Sequence, residues 1–132
     1  MLIAPSGDAE GSGGKDYTSQ WPGSYFRAAF EGSRVFFRVG QSDEILHIVV
    51  DGQSVAPLIR PEQGAYEIDG LGDGSHAVSV LVATESQDAP NTFSGFAIPV
   101  GEKALTPEPR HRQIEFIGDS HTVGFGNIST TH

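Results

Sequence analysis

A short segment near the end of the sequence combines residue types that could carry out nucleophilic catalysis. Gly118-Asp119-Ser120 directly follows Gln113–Ile117, a run with three apolar residues that predicts a buried strand. A strand that runs into a glycine-containing turn with a polar apex is how many α/β enzymes present a nucleophile. Gly118 has no Cβ and permits a sharp turn, and unpaired backbone N–H groups after such a turn could stabilise an oxyanion. Ser120 is therefore the candidate nucleophile.

Further residues support this loop, and its polar side chains have more than one interpretation. The supporting positions downstream are Thr122, Gly124 and Gly126. Ser120 could instead cap a helix without any catalytic role. His121 is rejected as its general base, because adjacent side chains diverge. Asp119 is interpreted as a structural acceptor for loop N–H groups rather than as the acid of a triad.

Metal-dependent chemistry is not indicated. The sequence contains no cysteine, so neither a disulfide framework nor a thiolate zinc site is possible. His47 and His76 fall within predicted strands and are interpreted as ordinary hydrogen-bonded side chains. No pair of histidines has metal-ligand spacing beside a carboxylate. We therefore expect no metal site and no cofactor.

Upstream of the candidate loop the sequence predicts an all-β domain. Short runs rich in β-branched and aromatic residues recur roughly every ten residues between turn signals. The predicted strands are Tyr25–Phe30, Arg34–Val39, Ile45–Val50, Gln53–Ile59, Ala65–Ile68, His76–Ala83 and Phe93–Val100. Without a convincing amphipathic helix, these strands predict a β-sandwich or jelly roll, because two sheets must cover each other's apolar faces.

Individual residues predict how the strands connect. Asp51-Gly52 is a strong tight-turn signal, Glu31-Gly32-Ser33 has the length of a hairpin connection, and Gly70–Gly74 predicts another turn. Pro57 favours an edge position, because proline cannot donate a ladder hydrogen bond. Alternation along one strand predicts a shared face for Val78, Val80 and Val82.

Six aromatic residues early in the sandwich have two interpretations. They are Trp21, Tyr25, Phe26, Phe30, Phe36 and Phe37. Alternating strand positions favour core packing, with Phe36 and Phe37 pointing to opposite faces. The alternative is an exposed platform on which sugar rings stack.

These patterns divide the sequence into four parts. Residues 1–20 are rich in Gly, Ser and Asp and predict a flexible or irregular lead-in. Residues 21–105 form the β-sandwich, and residues 106–112 form a short, stiff, proline-containing linker. Residues 113–132 begin an α/β domain. Because one strand cannot build such a domain, we expect this chain to be a fragment of a longer protein.

Charge and hydropathy exclude several classes of partner. Seventeen acidic residues oppose eight basic ones, for a net charge of −9. Such a surface repels nucleic acids and anionic membranes, and no apolar run approaches the ~20 residues of a membrane span. Met1–Pro5 is too short for a signal peptide. A neutral polysaccharide is a more suitable partner.

The segment Ile114–Asn127 resembles the first conserved block of SGNH hydrolases, and most closely that of the second family of carbohydrate esterases. In that family the block reads Gly-Asp-Ser, a variable residue, Thr, a variable residue, Gly, an aromatic residue and Gly. Similar upstream pieces are Val49–Gly52, Leu71–His76 and Phe93–Phe96. His121 occupies the variable position after the serine, so it does not weaken the resemblance.

This resemblance implies a jelly-roll domain followed by an SGNH catalytic domain that removes O-acetyl groups from polysaccharides such as xylan. It implies that Ser120 is the nucleophile and that its backbone N–H is one oxyanion donor. The family's other oxyanion donors and its catalytic histidine would lie beyond His132, so this chain alone is expected to be inactive. The implied partners are an acetylated polysaccharide or oligosaccharide and the remainder of the same polypeptide. The implied location is secreted or periplasmic.

Two other classes of function remain open from the sequence. One is a non-catalytic carbohydrate-binding β-sandwich, which acidic charge and aromatic residues permit. The other is a structural domain whose only partner is the rest of its own polypeptide. The Gly118–Gly126 loop counts against the first, because a binding module has no use for a nucleophile loop.

Overall fold

The β-rich runs of the sequence become eleven short strands in a computed structural model that describes residues 1–6, 15–86, 88–112, 114–115, 117–119 and 122. The strands are β1 (Leu2–Ser6), β2 (Tyr17–Ser19), β3 (Tyr25–Glu31), β4 (Val35–Val39), β5 (Ile45–Val50), β6 (Gln53–Ser54), β7 (Leu58–Ile59), β8 (Gly64–Asp69), β9 (Ser75–Val82), β10 (Asn91–Ala97) and β11 (Lys103–Leu105). No helix occurs among the described residues. The predicted all-β class is confirmed.

The strands form two antiparallel sheets. The first sheet has the order β1-β8-β4-β10-β2, and the second has the order β11-β3-β9-β5-β6, with β7 also paired to β5. Strands close in sequence often lie in different sheets, so the chain crosses repeatedly between the two layers. The sheets pack face to face, which is the predicted sandwich.

Strand alternation builds the core between the sheets. Val78, Val80 and Val82 on β9 are each 1% exposed, as their predicted common face requires. Fully burying one such aliphatic side chain contributes about 1.5–3 kcal/mol. The ring of Phe26 in one sheet stacks on Phe93 in the other, with centroids 4.1 Å apart. The apolar layer is therefore continuous across both sheets.

One turn prediction and one edge prediction are confirmed. Val50 pairs with Gln53, and between them Asp51 has φ 50° and Gly52 has φ 78°. Positive φ at both central residues is the signature of the hairpin turn that Asp-Gly favours. Pro57 lies between β6 and β7, two short strands that pair along the outer side of β5, which agrees with its predicted edge position.

The predicted hairpin at Glu31-Gly32-Ser33 is wrong. The strands on either side of it, β3 and β4, belong to different sheets, because a three-residue connection can also turn the chain from one layer to the next. The Gly32 N–H donates to the carbonyl of Gly74 at 2.9 Å. Gly32 also has φ 147°, and a Cβ there would collide with the carboxylate of Glu102.

The lead-in predicted for residues 1–20 also differs from the structure. β1 pairs with β8 along its whole length, from Leu2 opposite Asp69 to Ser6 opposite Ala65. β2 pairs with β10 at the other edge of the same sheet. Backbone hydrogen bonds define these strands, and the composition of this region carries little apolar alternation to signal them. The sandwich therefore also includes Leu2–Ser6 and Tyr17–Ser19.

Candidate functional site

Three residues of the candidate loop are described by the structure. The Thr122 N–H donates to the Asp119 carbonyl at 3.0 Å, and a Cβ added to Gly118 would collide with the Thr122 hydroxyl. The close approach of the Thr122 side chain therefore leaves no space for a Cβ at position 118. Ser120, His121, Gly124 and Gly126 lie outside the described residues.

The strand predicted at Gln113–Ile117 is not found. Its described members, Ile114, Glu115 and Ile117, belong to no strand. A strand needs a neighbour that completes its backbone hydrogen bonds, and the described strands pair only among themselves. Ile114 is 77% exposed and Ile117 is 91% exposed, so neither side chain contributes to the sandwich core.

His76 holds two loops at one end of the sandwich. Its Nδ1 lies 2.6 Å from Asp51 Oδ2, and its Nε2 lies 3.0 Å from the Gly72 carbonyl oxygen. The carboxylate and the carbonyl both accept hydrogen bonds, so this geometry favours the imidazolium form, in which both ring nitrogens donate. The hydrogen bond to Asp51 raises the pKa of His76 against the opposing effect of burial. This agrees with the structural interpretation of His76.

A buried polar cluster lies at the start of β5, and the residue pattern there did not predict it. It comprises Ser42, Glu44 and Asn91, all at most 4% exposed. The Asn91 N–H donates to Glu44 Oε2 at 3.1 Å. Among the described residues, neither Glu44 Oε1 nor Asn91 Nδ2 has a hydrogen-bond partner. Burial raises the pKa of Glu44 from 4.5 to about 7, against the hydrogen bonds from the Asn91 backbone and the Ser42 side chain.

The aromatic residues divide between core and surface. Phe30 and Phe37 are each 1% exposed, and Phe36 projects from the opposite face of β4 and is half-buried. Trp21 is 62% exposed and Tyr25 is 44% exposed, so the core interpretation is wrong for these two. Both flank the crossing from β2 to β3, where a residue need not face the core.

The crossing that carries Trp21 is held by hydrogen bonds. Ser19 Oγ lies 2.9 Å from Ser24 Oγ and donates to the Trp21 carbonyl at 3.2 Å. The Gly23 N–H donates to the carbonyl of Val82 at 2.9 Å. The exposed Trp21 side chain therefore projects from an ordered backbone.

The described residues contain neither a metal-binding group nor a helix that could span a membrane. Across the described residues, no group of three or more His, Asp or Glu side chains could hold a metal ion. No helix within the described ranges is long and apolar enough to cross a membrane.

Two curated relatives align with most of this chain. An "Acetylxylan esterase / glucomannan deacetylase" from Cellvibrio japonicus is 37% identical over 113 residues, which is 86% of this chain and 31% of the relative. The "Cellulase/esterase CelE" of Acetivibrio thermocellus is 30% identical over 114 residues, 84% of this chain and 14% of the relative. The chain thus spans about a third or less of their length.

The fold and the family follow from two further comparisons. A family two carbohydrate esterase from Clostridium thermocellum, solved in complex with cellohexaose, superposes with a TM-score of 0.69 at 28% identity, covering 96% of this chain and 40% of that one. The family model described as "Carbohydrate esterase 2 N-terminal" matches residues 9–109. This chain therefore belongs to the carbohydrate esterase 2 N-terminal family.

Proposed function

We propose that this chain is the N-terminal part of a serine carbohydrate esterase of the SGNH type, with Ser120 as its nucleophile. The observation that carries the proposal is the order of two features along one chain. The family match ends at residue 109, and the Gly118-Asp119-Ser120 loop begins a few residues later. The substrate we propose is an O-acetylated polysaccharide such as xylan, in line with the name of the Cellvibrio japonicus relative.

The proposed chemistry is acyl transfer. The Ser120 hydroxyl oxygen attacks the acetyl carbonyl carbon, and a histidine from the downstream domain accepts the hydroxyl proton. That proton then passes to the departing sugar oxygen, and water hydrolyses the acetyl-serine to acetate. The Ser120 backbone N–H donates to the oxyanion. Gly118, whose close contact with Thr122 requires glycine, supports the turn that presents Ser120.

The remaining parts of the proposal concern boundaries, partners and location. We place the sandwich over residues 21–105 with β1 and β2 added to it, the linker at 106–112, and the start of the catalytic domain at 113–132. The net charge of −9 suits a neutral polysaccharide better than a polyanion. A secreted or periplasmic location follows from a polysaccharide substrate.

The first test compares this chain with a polypeptide that continues into the downstream domain of its relatives. We expect the longer protein to hydrolyse an acetylated chromogenic ester and this chain to show no rate above a buffer blank. A serine hydroxyl needs an adjacent base, and losing a single oxyanion donor already costs about 10²- to 10³-fold. Measurable hydrolysis by this chain would overturn the claim that catalysis needs downstream residues.

A second candidate function, carbohydrate binding by the sandwich itself, is favoured by the exposure of Trp21. Its side chain is 62% exposed on a hydrogen-bonded crossing, and an exposed aromatic face is suited to stacking against a sugar ring. Trp21 is the only tryptophan, so its fluorescence reports directly on binding.

We expect cellohexaose to shift the Trp21 emission, and we expect Trp21→Ala to weaken binding about tenfold or more, because aromatic anchors dominate contact energies. Binding of the Trp21→Ala chain would be followed by calorimetry, with Phe36→Leu on β4 of the first sheet as the matched aromatic control. An unchanged emission spectrum at saturating cellohexaose would remove this candidate.

A further inference from the structure

The linker is held against the sandwich. After the turn at Gly101, β11 pairs antiparallel with β3, from Lys103 opposite Glu31 to Leu105 opposite Ala29. The chain then continues beside β3 in the direction of Tyr25. Two side chains of β3 contact the linker on this path, so residues 106–110 do not form a free connection.

The first contact is a hydrogen bond. Arg27 Nη1 donates to the backbone carbonyl of Glu108 at 3.2 Å. Pro107 and Pro109 flank Glu108 and restrict its backbone. A single donor can therefore fix the position of several linker residues.

The second contact is a cation–π interaction. The guanidinium carbon of Arg110 lies 4.3 Å from the centroid of the Tyr25 ring, within the range of an attractive contact. Tyr25 and Arg27 are two residues apart on β3, so both project from its outer face. Opposite Arg27 on β9 is Ser79, a small residue that leaves space on this face.

We propose that Tyr25 and Arg27 are positioning residues that clamp residues 106–110 onto the sandwich and so set where the Gly118–Gly126 loop begins. The part of this inference that concerns catalysis rests on the proposed function. The clamp itself concerns only contacts within this chain. The two parts can therefore be tested separately.

The test of the clamp is limited trypsin digestion of this chain, because Arg110 is itself a cleavage site. The variant is the double substitution Tyr25→Leu with Arg27→Gln. Losing one surface cation–π contact and one hydrogen bond should raise the rate of cleavage after Arg110 about tenfold. Release of the peptide that begins at His111 would be followed by mass spectrometry, with cleavage after Lys15 as the internal reference.

Three controls separate a clamp from general loosening of the fold. Tyr25→Phe keeps the ring beneath Arg110 and should leave the cleavage rate unchanged. Arg34→Gln, which removes a surface pair with Glu67 in the other sheet, should also have no effect. Thermal unfolding should show the double variant folded at the digestion temperature. Equal cleavage in the double variant and the unchanged chain, or equal acceleration by Arg34→Gln, would overturn the clamp.

The positioning role is tested in the longer polypeptide. We expect the double variant to lower kcat about tenfold with a smaller change in KM, because a displaced loop misaligns the nucleophile. Tyr25→Phe should retain the full kcat. If the double variant is cleaved faster after Arg110 but keeps its kcat, the clamp exists without a positioning role. If the longer polypeptide has no esterase activity at all, the proposed function fails while the digestion still decides the clamp.

Discussion

Ser120→Ala in a polypeptide that contains the downstream domain should lower kcat/KM for an acetyl ester by about 10⁴- to 10⁶-fold. On the proposed mechanism, the substitution removes the hydroxyl oxygen that forms the acyl-enzyme, while the backbone N–H of residue 120 remains as an oxyanion donor. Some activity above the uncatalysed rate should therefore persist. The measurement is the initial rate with an acetylated chromogenic ester, together with labelling of the protein by a serine-reactive phosphonate.

The matched control for Ser120→Ala is the neighbouring His121→Ala. Adjacent side chains diverge, so His121 should not act as the base for Ser120, and we expect less than about a tenfold loss of kcat/KM. A loss as large as that of Ser120→Ala would make His121 part of the catalytic machinery. Full activity in Ser120→Ala would overturn the nucleophile assignment itself.

The sequence predicted best those features that depend on local rules. The Asp51-Gly52 turn requires positive φ at both residues, and few residue pairs accept that conformation. The shared face of Val78, Val80 and Val82 follows from the twofold repeat of a strand.

The features that the sequence did not predict depend on long-range pairing. β1 forms because it pairs with the edge of β8. No residue pattern within Leu2–Ser6 predicts that pairing. The connection at Gly32 has the length of a hairpin, and only the pairing of β3 with β9 reveals that it crosses between sheets. The contact between Arg110 and the Tyr25 ring joins residues that are far apart in sequence.

Glu44 is the clearest case of a chemical property that tertiary packing creates. In sequence it is one of two adjacent acidic residues before a strand, a position typical of a solvated loop. In the fold it is 0% exposed, with one carboxyl oxygen bonded to the Asn91 N–H. Burial favours the protonated form of this carboxyl over its charged form, because removing a charge from water is costly.

This burial predicts that the free energy of unfolding falls as the pH rises from about 4.5 to about 7. The folded Glu44 keeps its proton up to a pKa of about 7, whereas in the unfolded chain it loses the proton near pH 4.5. The favourable contribution of protonated Glu44 to the free energy of unfolding is thus fully present below pH 4.5 and is lost as the pH rises to about 7. The rise in the pKa of Glu44 corresponds to roughly 3 kcal/mol, and we expect a measured change of about 1–3 kcal/mol.

Glu44→Gln should remove this pH dependence, because glutamine resembles the protonated acid at every pH. The measurement is urea unfolding of both chains between pH 5 and 8, with the difference between their unfolding free energies plotted against pH.

His76, whose raised pKa also reduces stability as the pH rises, is present in both chains, so its contribution cancels in the difference. Asp16→Asn, on an exposed carboxyl, is the matched control and should run parallel to the unchanged chain. We expect Glu44→Gln to be the more stable protein at pH 8 and to lose that advantage toward pH 5. A difference that stays constant across the range would show that Glu44 is already ionised in the folded domain and would overturn the prediction.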